Sequence, residues 1–150
     1  MKTRLILAFA LLLLAGSASF AQTKRSARPR ASTATQVTQH RIVYDMTAAD
    51  TTQQSMLMRQ LNNIKRGWPD AQIEVVVHGK ALDMLVSEKS TNAAAIKALQ
   101  EKGVVFAACE NSMRARKVEK GQLLPGVITV PMGIGEVVMK QEEGWSYIKF

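Results

Sequence analysis

Val104-Val105-Phe106-Ala107-Ala108-Cys109 runs without a break into Glu110-Asn111-Ser112-Met113-Arg114-Ala115-Arg116-Lys117. The first stretch is apolar and β-prone, whereas the second turns polar, with Asn111 or Ser112 placed to cap a short basic helix. A strand that feeds directly into a helix is half of a βαβ unit. The same alternation recurs on both sides of it.

Upstream, Arg41 to Met46 is a β-prone run, and a helical stretch after Thr47 to Thr51 carries Leu57, Leu61 and Ile64 at i, i+4, i+7 spacing. Gly67-Trp68-Pro69-Asp70 stops that helix, because proline cannot continue the hydrogen-bond ladder. Ile73-Glu74-Val75-Val76-Val77-His78 is the second strand, broken by Gly79 before a short helical piece with Leu82, Leu85 and Val86. Ser90 or Thr91 is placed to cap a helix with Ala95, Ile96 and Leu99 on one face, ending at Gly103. Downstream, Leu123-Leu124-Pro125-Gly126 turns the chain into a strand through Val130, and a helix from about Gly133 to Glu143 presents Ile134, Val137 and Val138 on one side. Gly144 ends it before a last strand, Trp145 to Lys149.

Strands that read as continuous apolar runs are expected where helices cover both faces of a parallel sheet. The expected fold is therefore α/β, a three-layer α/β/α sandwich with a five-stranded, mainly parallel sheet. Parallel strands place their C-terminal ends on one edge, where open α/β sheets hold their sites. That edge gathers Asp45 to Thr47, His78-Gly79, Cys109 to Ser112 and Pro131 to Gly133.

The 150 residues suit one domain, and their formal charge of +8 invites an anionic partner. The distribution argues otherwise. Lys2 and Arg4 precede eleven apolar residues, Leu5 to Ala15, and Ser19-Phe20-Ala21 offers small side chains at a cleavage site, so 1–21 reads as a signal peptide. The apolar run is shorter than the ~20 residues that cross a bilayer core, so no stable membrane insertion is expected after cleavage. Residues 22–39 lack apolar periodicity and read as a disordered tether carrying Lys24, Arg25, Arg28 and Arg30. The domain at 40–150 keeps fourteen basic against twelve acidic residues, which is no basis for a nucleic-acid partner. The expected location is periplasmic or secreted.

Cys109 is the one cysteine, which excludes an internal disulfide and any multi-cysteine zinc site. Two readings of it stand. It is a small buried hydrophobe, or it is a reactive sulfur, since a helix start favours the thiolate. Glu110 beside it opposes ionisation, and Arg114 and Arg116 are placed to offset that charge. His78 is an acid, base or sulfur-orienting donor if it faces Cys109, and otherwise a hydrogen-bonded strand end. Asp45 reads as structural, capping the turn after the first strand or accepting from a loop N–H. His40 borders the tether and reads as bland. Met46, Met113 and Met132 fall near the same edge and with Cys109 and His78 would suit Cu(I), though methionine is also the ordinary filler of core gaps. Gly133-Ile134-Gly135 reads as a close-packing turn.

Val76-Val77-His78-Gly79, Phe106-Ala107-Ala108-Cys109-Glu110-Asn111-Ser112-Met113 and the closing run from Leu124-Pro125-Gly126-Val127 through Val130-Pro131-Met132-Gly133-Ile134-Gly135-Glu136 to Gly144-Trp145-Ser146-Tyr147-Ile148 together resemble the DsrE/DsrF-like proteins of sulfur relay. The resemblance covers about Arg41 to Phe150. It implies an α/β sandwich assembling into trimers or hexamers, and a sulfurtransferase-like carrier that forms a persulfide on its cysteine and hands sulfur between a donor and an acceptor protein. The sulfur-carrying role then falls to Cys109, and His78 and Asn111 match the positions beside it. No cofactor or resident metal is implied. The leader departs from cytoplasmic relay members, since an exported thiol meets an oxidising compartment. The alternatives are a non-catalytic oligomeric binding module with a buried cysteine, and a Cu(I)-binding protein.

Overall fold

The computed structural model describes residues 39–150; the expected signal peptide and all of the tether before Gln39 lie outside the described residues. The elements follow in order: β1 (Arg41–Met46), α1 (Thr51–Gly67), β2 (Gln72–Val77), a 3-10 segment (Gly79–Leu85), α2 (Ala93–Glu101), β3 (Val104–Cys109), α3 (Glu110–Arg116), β4 (Ile128–Val130), α4 (Gly133–Glu142) and β5 (Ser146–Lys149). The five strands pair in parallel in the order β4-β3-β2-β1-β5, so the α/β sheet expected from the sequence is present.

The order explains the layers. β1 to β4 step across the sheet in one direction, so right-handed crossovers put their connecting segments on one face. The β4-to-β5 connection runs back to the far side of β1, and the same handedness puts α4 on the other face. The first face holds the large core, where Ile42, Tyr44, Met46, Ile73, Val75, Val77, Val104, Phe106 and Ala108 meet Leu57, Leu61, Leu82, Leu85, Ile96 and Leu99. On the second face α4 packs over β1, β2 and β3, and the cluster is Val43, Val76, Ala107, Val130 and Val137. Both faces are covered, but unequally. Because side chains alternate along a strand, Asp45 and Glu74 share the second face with Val43 and Val76, and both are buried there.

The helix starts differ from the sequence expectation at two places. Asn92, not Ser90 or Thr91, is the residue before α2, and the Ser90 hydroxyl instead accepts from the Asn92 N–H at 3.3 Å. α3 begins at Glu110, so Cys109 itself occupies the N-cap position that Asn111 or Ser112 was expected to fill. Strand and helix are thus joined with no loop residue between them. The inward stripe of α4 also differs: Val137 is buried, while Ile134 and Val138 are 52% and 45% exposed. The residues that meet the sheet are Gly133, Val137 and Lys140, at i, i+4, i+7. The first must be small and the last reaches the buried Glu74, so an apolar count alone picks the wrong side of the helix.

Candidate functional site

Three adjacent strands deliver Asp45, His78 and Cys109 to one spot. Asp45 pairs with Val76 across β1 and β2, and Val77 pairs with Ala108 across β2 and β3, which sets His78 beside Cys109. All three lie on the α4 face at the C-terminal edge of the sheet. The first residue of α4 closes over them. A Cβ built on Gly133 would stand 3.1 Å from the His78 Cβ and 3.2 Å from the Cys109 Cβ, so glycine here is a condition of the close approach.

Cys109 is 4% exposed, and the Gly133 backbone N–H donates to its Sγ at 3.1 Å. Burial pushes the thiol up, but the amides of Ser112 and Gly133, the Ser112 hydroxyl and the Asn111 amide outweigh it and hold the thiol below its ordinary value. Gly133 makes the close bond, while the α3 amides act at longer range, with no capping bond formed through the cysteine side chain. Ser112 also accepts from the Gly79 N–H at 2.8 Å, tying the end of β2 to α3.

Glu110 does not confront the sulfur unpaired. Its carboxylate takes the Lys120 ammonium at 2.9 Å and the Thr129 hydroxyl at 2.9 Å, and these hold it below the usual carboxylate range. Of the two arginines expected to offset it, Arg114 adds a weaker charge attraction while its guanidinium donates to the Asn111 side chain, and Arg116 is drawn away to Asp83 at 2.5 Å. The larger share of the role expected of the arginines falls to Lys120, in the 3-10 turn that follows α3. Asn111 is therefore beside the cysteine through its backbone amide, while its own side chain is exposed and taken by Arg114.

Asp45 is no turn cap. Its Oδ1 lies 2.6 Å from His78 Nε2, and its Oδ2 accepts from the Tyr147 hydroxyl at 3.1 Å and the Lys149 ammonium at 3.0 Å. Burial raises its pKa, yet the bonds from His78, Lys149 and Tyr147 together bring it below the ordinary value. Partial desolvation of the exposed Tyr147, with the Asp45 carboxylate beside it, pushes its hydroxyl up. His40 stacks on Trp68 with ring centroids 3.9 Å apart, a packing role.

The soft-ligand set does not assemble. Met46 and Met113 belong to the large core on the other face, because Met46 follows Asp45 by one residue and alternation turns it away. Met132 is half exposed, and its terminal methyl sits where a Cβ on Gly135 would come. Among the described residues no three His, Cys, Asp or Glu side chains converge at metal-binding distance.

The fold recurs in solved structures. A protein of unknown function from Methanobacterium thermoautotrophicum is 31% identical, with a TM-score of 0.71, over 74% of this chain and 99% of its own. The ychN protein of E. coli is 14% identical, with a TM-score of 0.62, over 74% of this chain and 99% of its own. A conserved protein of unknown function from Bacteroides thetaiotaomicron is 18% identical, with a TM-score of 0.61, over 73% and 94%. The last two likenesses bear on the fold alone. No curated relative matches the sequence. The DsrE/DsrF-like family model matches residues 31–150, a span that takes in the whole sheet together with the strand ends and the α4 start that enclose the cysteine, and the chain belongs to that family.

Proposed function

We propose that the protein carries sulfur as a persulfide on Cys109, outside the cytoplasm, receiving it from a donor and passing it to an acceptor protein. Family membership points to a sulfur-relay role, and one observation of this chain supports the carrier reading. The Gly133 N–H, from an element 24 residues away, is aimed at the sulfur at 3.1 Å. A cysteine that served only as a small hydrophobe needs no such donor; a thiolate gains from one.

The exchange balances without an oxidant. The Cys109 thiolate attacks the outer sulfur of a donor persulfide, R–S–SH, forming Cys109–S–SH as the donor sulfur–sulfur bond breaks and R–S⁻ leaves. An acceptor thiolate then attacks the outer sulfur and regenerates the Cys109 thiolate. Near-complete burial slows the mixed disulfides and over-oxidation that an exposed exported thiol invites.

Intact-mass spectrometry after exposure to a persulfide donor is the test. The expected result is a gain of one sulfur atom on a mature chain beginning at Gln22, reversed by a small thiol and missing in Cys109→Ala. An unchanged mass, or the same gain in Cys109→Ala, sinks the carrier reading in favour of a buried cysteine. A chain retaining residues 1–21 counts against export.

We also propose that a second copy of the chain covers α4, consistent with the assemblies the resemblance implies. Met132, Ile134, Val138 and Met139 are all roughly half exposed and line one groove of about 400 Å³. Ile134→Glu is expected to convert a trimer or hexamer to monomer in light scattering. A wild-type chain already monomeric at tens of micromolar overturns the proposal.

A further inference from the structure

We propose that Asp45 is a positioning residue for the Cys109 chemistry, holding His78 by its Nε2 so that the ring's Nδ1 exchanges protons with Cys109 and with the thiol that delivers or accepts sulfur. The inference rests on the reading of Cys109 as the sulfur nucleophile, and adds a proton path to it.

The geometry carries the proposal. Asp45 is buried, yet both of its oxygens are engaged, Oδ1 by His78 at 2.6 Å and Oδ2 by Tyr147 and Lys149. A carboxylate is costly to bury for structure alone, where an apolar residue would pack as well. The two donors on Oδ2 leave Oδ1 aimed at the imidazole. With Nε2–H given to a carboxylate, a neutral ring keeps its lone pair on Nδ1.

The backbone limits where that ring can go. The His78 N–H is tied to the Met46 carbonyl at 3.1 Å, and the next residue, Gly79, turns at φ +63° with its own N–H on Ser112. Gly133 occupies the space directly above both Cβ atoms. His78 is held next to Cys109 on the α4 face by its neighbours in the sheet, by α4 and by Asp45; in this resting arrangement the sulfur is bonded by the Gly133 N–H and not by the imidazole.

The proton sequence balances. Cys109–SH gives its proton to Nδ1, leaving a thiolate and an imidazolium whose charge Asp45 opposes. After the thiolate takes the outer sulfur of R–S–SH, the imidazolium returns its proton to R–S⁻, which departs as a neutral thiol, and His78 is neutral again. The reverse series serves the acceptor.

The sign of the Asp45 effect separates this role from plain electrostatics. Around the pair, β1 supplies Asp45, β5 supplies Tyr147 and Lys149, and α3 supplies Glu110, already neutralised by Lys120. The charged residues of α4 are Glu136, Lys140 and Glu142, of which Glu136 pairs with Lys140 at 3.5 Å. If Asp45 acted only through its charge, removing it would favour the thiolate and speed alkylation of Cys109. If it acts through His78, removing it slows alkylation.

The rate of iodoacetamide labelling of Cys109, followed on the full chain over pH values from about 5 to 9, decides between these. Asp45→Asn and His78→Gln are each expected to slow labelling below neutrality by about tenfold and to move the midpoint of the profile upward, with the double variant no slower than either. An unchanged or faster Asp45→Asn overturns the proposal, as does slowing that adds in full to that of His78→Gln. Should Asp45→Asn not fold, Asp45→Glu keeps the charge but displaces the ring, and an unchanged profile in it or in His78→Gln is decisive. Iodoacetamide needs no sulfur donor. A normal profile dependence with no persulfide formed therefore counts against the carrier, and persulfide formed with no profile dependence counts against Asp45.

Discussion

Lys140→Met is expected to destabilise the domain by about 3 kcal/mol at neutral pH and by much less near pH 4. Glu74 stands in the middle of β2 under α4, 4% exposed, with Oε2 on the Lys140 ammonium at 3.0 Å and Oε1 without a protein partner. Burial raises its pKa, Lys140 pulls it back in part, and Glu136 raises it again, so the net displacement is upward. The folded state thus binds the Glu74 proton more tightly than the unfolded chain does. The contribution of this site is greatest below the unfolded carboxyl value and is lost as pH rises through the folded one.

Removing Lys140 leaves that carboxylate buried without its cation and pushes the folded pKa further up. The carboxyl can escape by taking a proton, which limits the penalty to about 1.4 kcal/mol for each pH unit above its unfolded value, or about 4 kcal/mol at pH 7. Loss of the Lys140 stem over the Trp145 ring, 4.7 Å from ammonium to centroid, is small because methionine fills most of that volume. Urea denaturation at about pH 4 and about pH 7.5 reads the difference. Glu74→Gln added to Lys140→Met should recover most of the loss at the higher pH. Equal losses at both pH values, or no recovery in the double variant, would show that packing and not the unpaired charge sets the cost.

The strands and their parallel sense were legible because each apolar run was bounded by a helix signal or a glycine. The difference between the two faces was equally present in the letters, but only under a period of two. Read as continuous runs, β1 and β2 suggested uniform covering. Read alternately, Asp45, Glu74, His78 and Cys109 fall on one face and the bulk of the large residues on the other. Strand order was not legible, since β5 pairs with β1 across a hundred residues and no local signal marks that choice. It follows from packing a fifth strand on whichever edge the α4 crossover can reach with the right hand.

The site divides along the same line. Cys109 and His78 were found because both end strands, and the ends of parallel strands meet. Asp45 reads from the sequence as capping the turn after β1 or accepting from a loop N–H because its partners Tyr147 and Lys149 come from β5, whose position beside β1 the sequence does not state. The Gly133 donor is a backbone N–H, and main-chain groups carry no side-chain signature. The small size of the residue was the available clue: a glycine opening a helix after proline marks a close approach, and here what it approaches is the sulfur.

Gly133→Ala is therefore expected to raise the midpoint of Cys109 ionisation by about one pH unit, the equivalent of about 1.4 kcal/mol, which lies near the low end for a lost hydrogen bond to a charged group. The low end applies because the amide is displaced, not deleted, and the Ser112 and Asn111 amides stay in place. Two stability terms compete. Alanine favours a helical position over glycine by about 0.5–1 kcal/mol, whereas forcing a methyl against well-packed atoms costs about 1–3 kcal/mol. The atoms it meets are Cβ atoms at 3.1 and 3.2 Å, fixed to β2 and β3, which cannot swing aside as a side-chain tip does. The crowding term wins, and a net loss of about 1 kcal/mol is expected. Gly135→Ala is the matched control: its Cβ would come 2.6 Å from the Met132 terminal methyl, the far end of a half-exposed flexible chain. That methyl can move, so the control should gain about 0.5–1 kcal/mol of stability and leave the Cys109 labelling profile where it was. A Gly133→Ala profile that coincides with wild type would mean that the sulfur does not depend on the α4 amide, and would remove the observation on which the carrier reading stands.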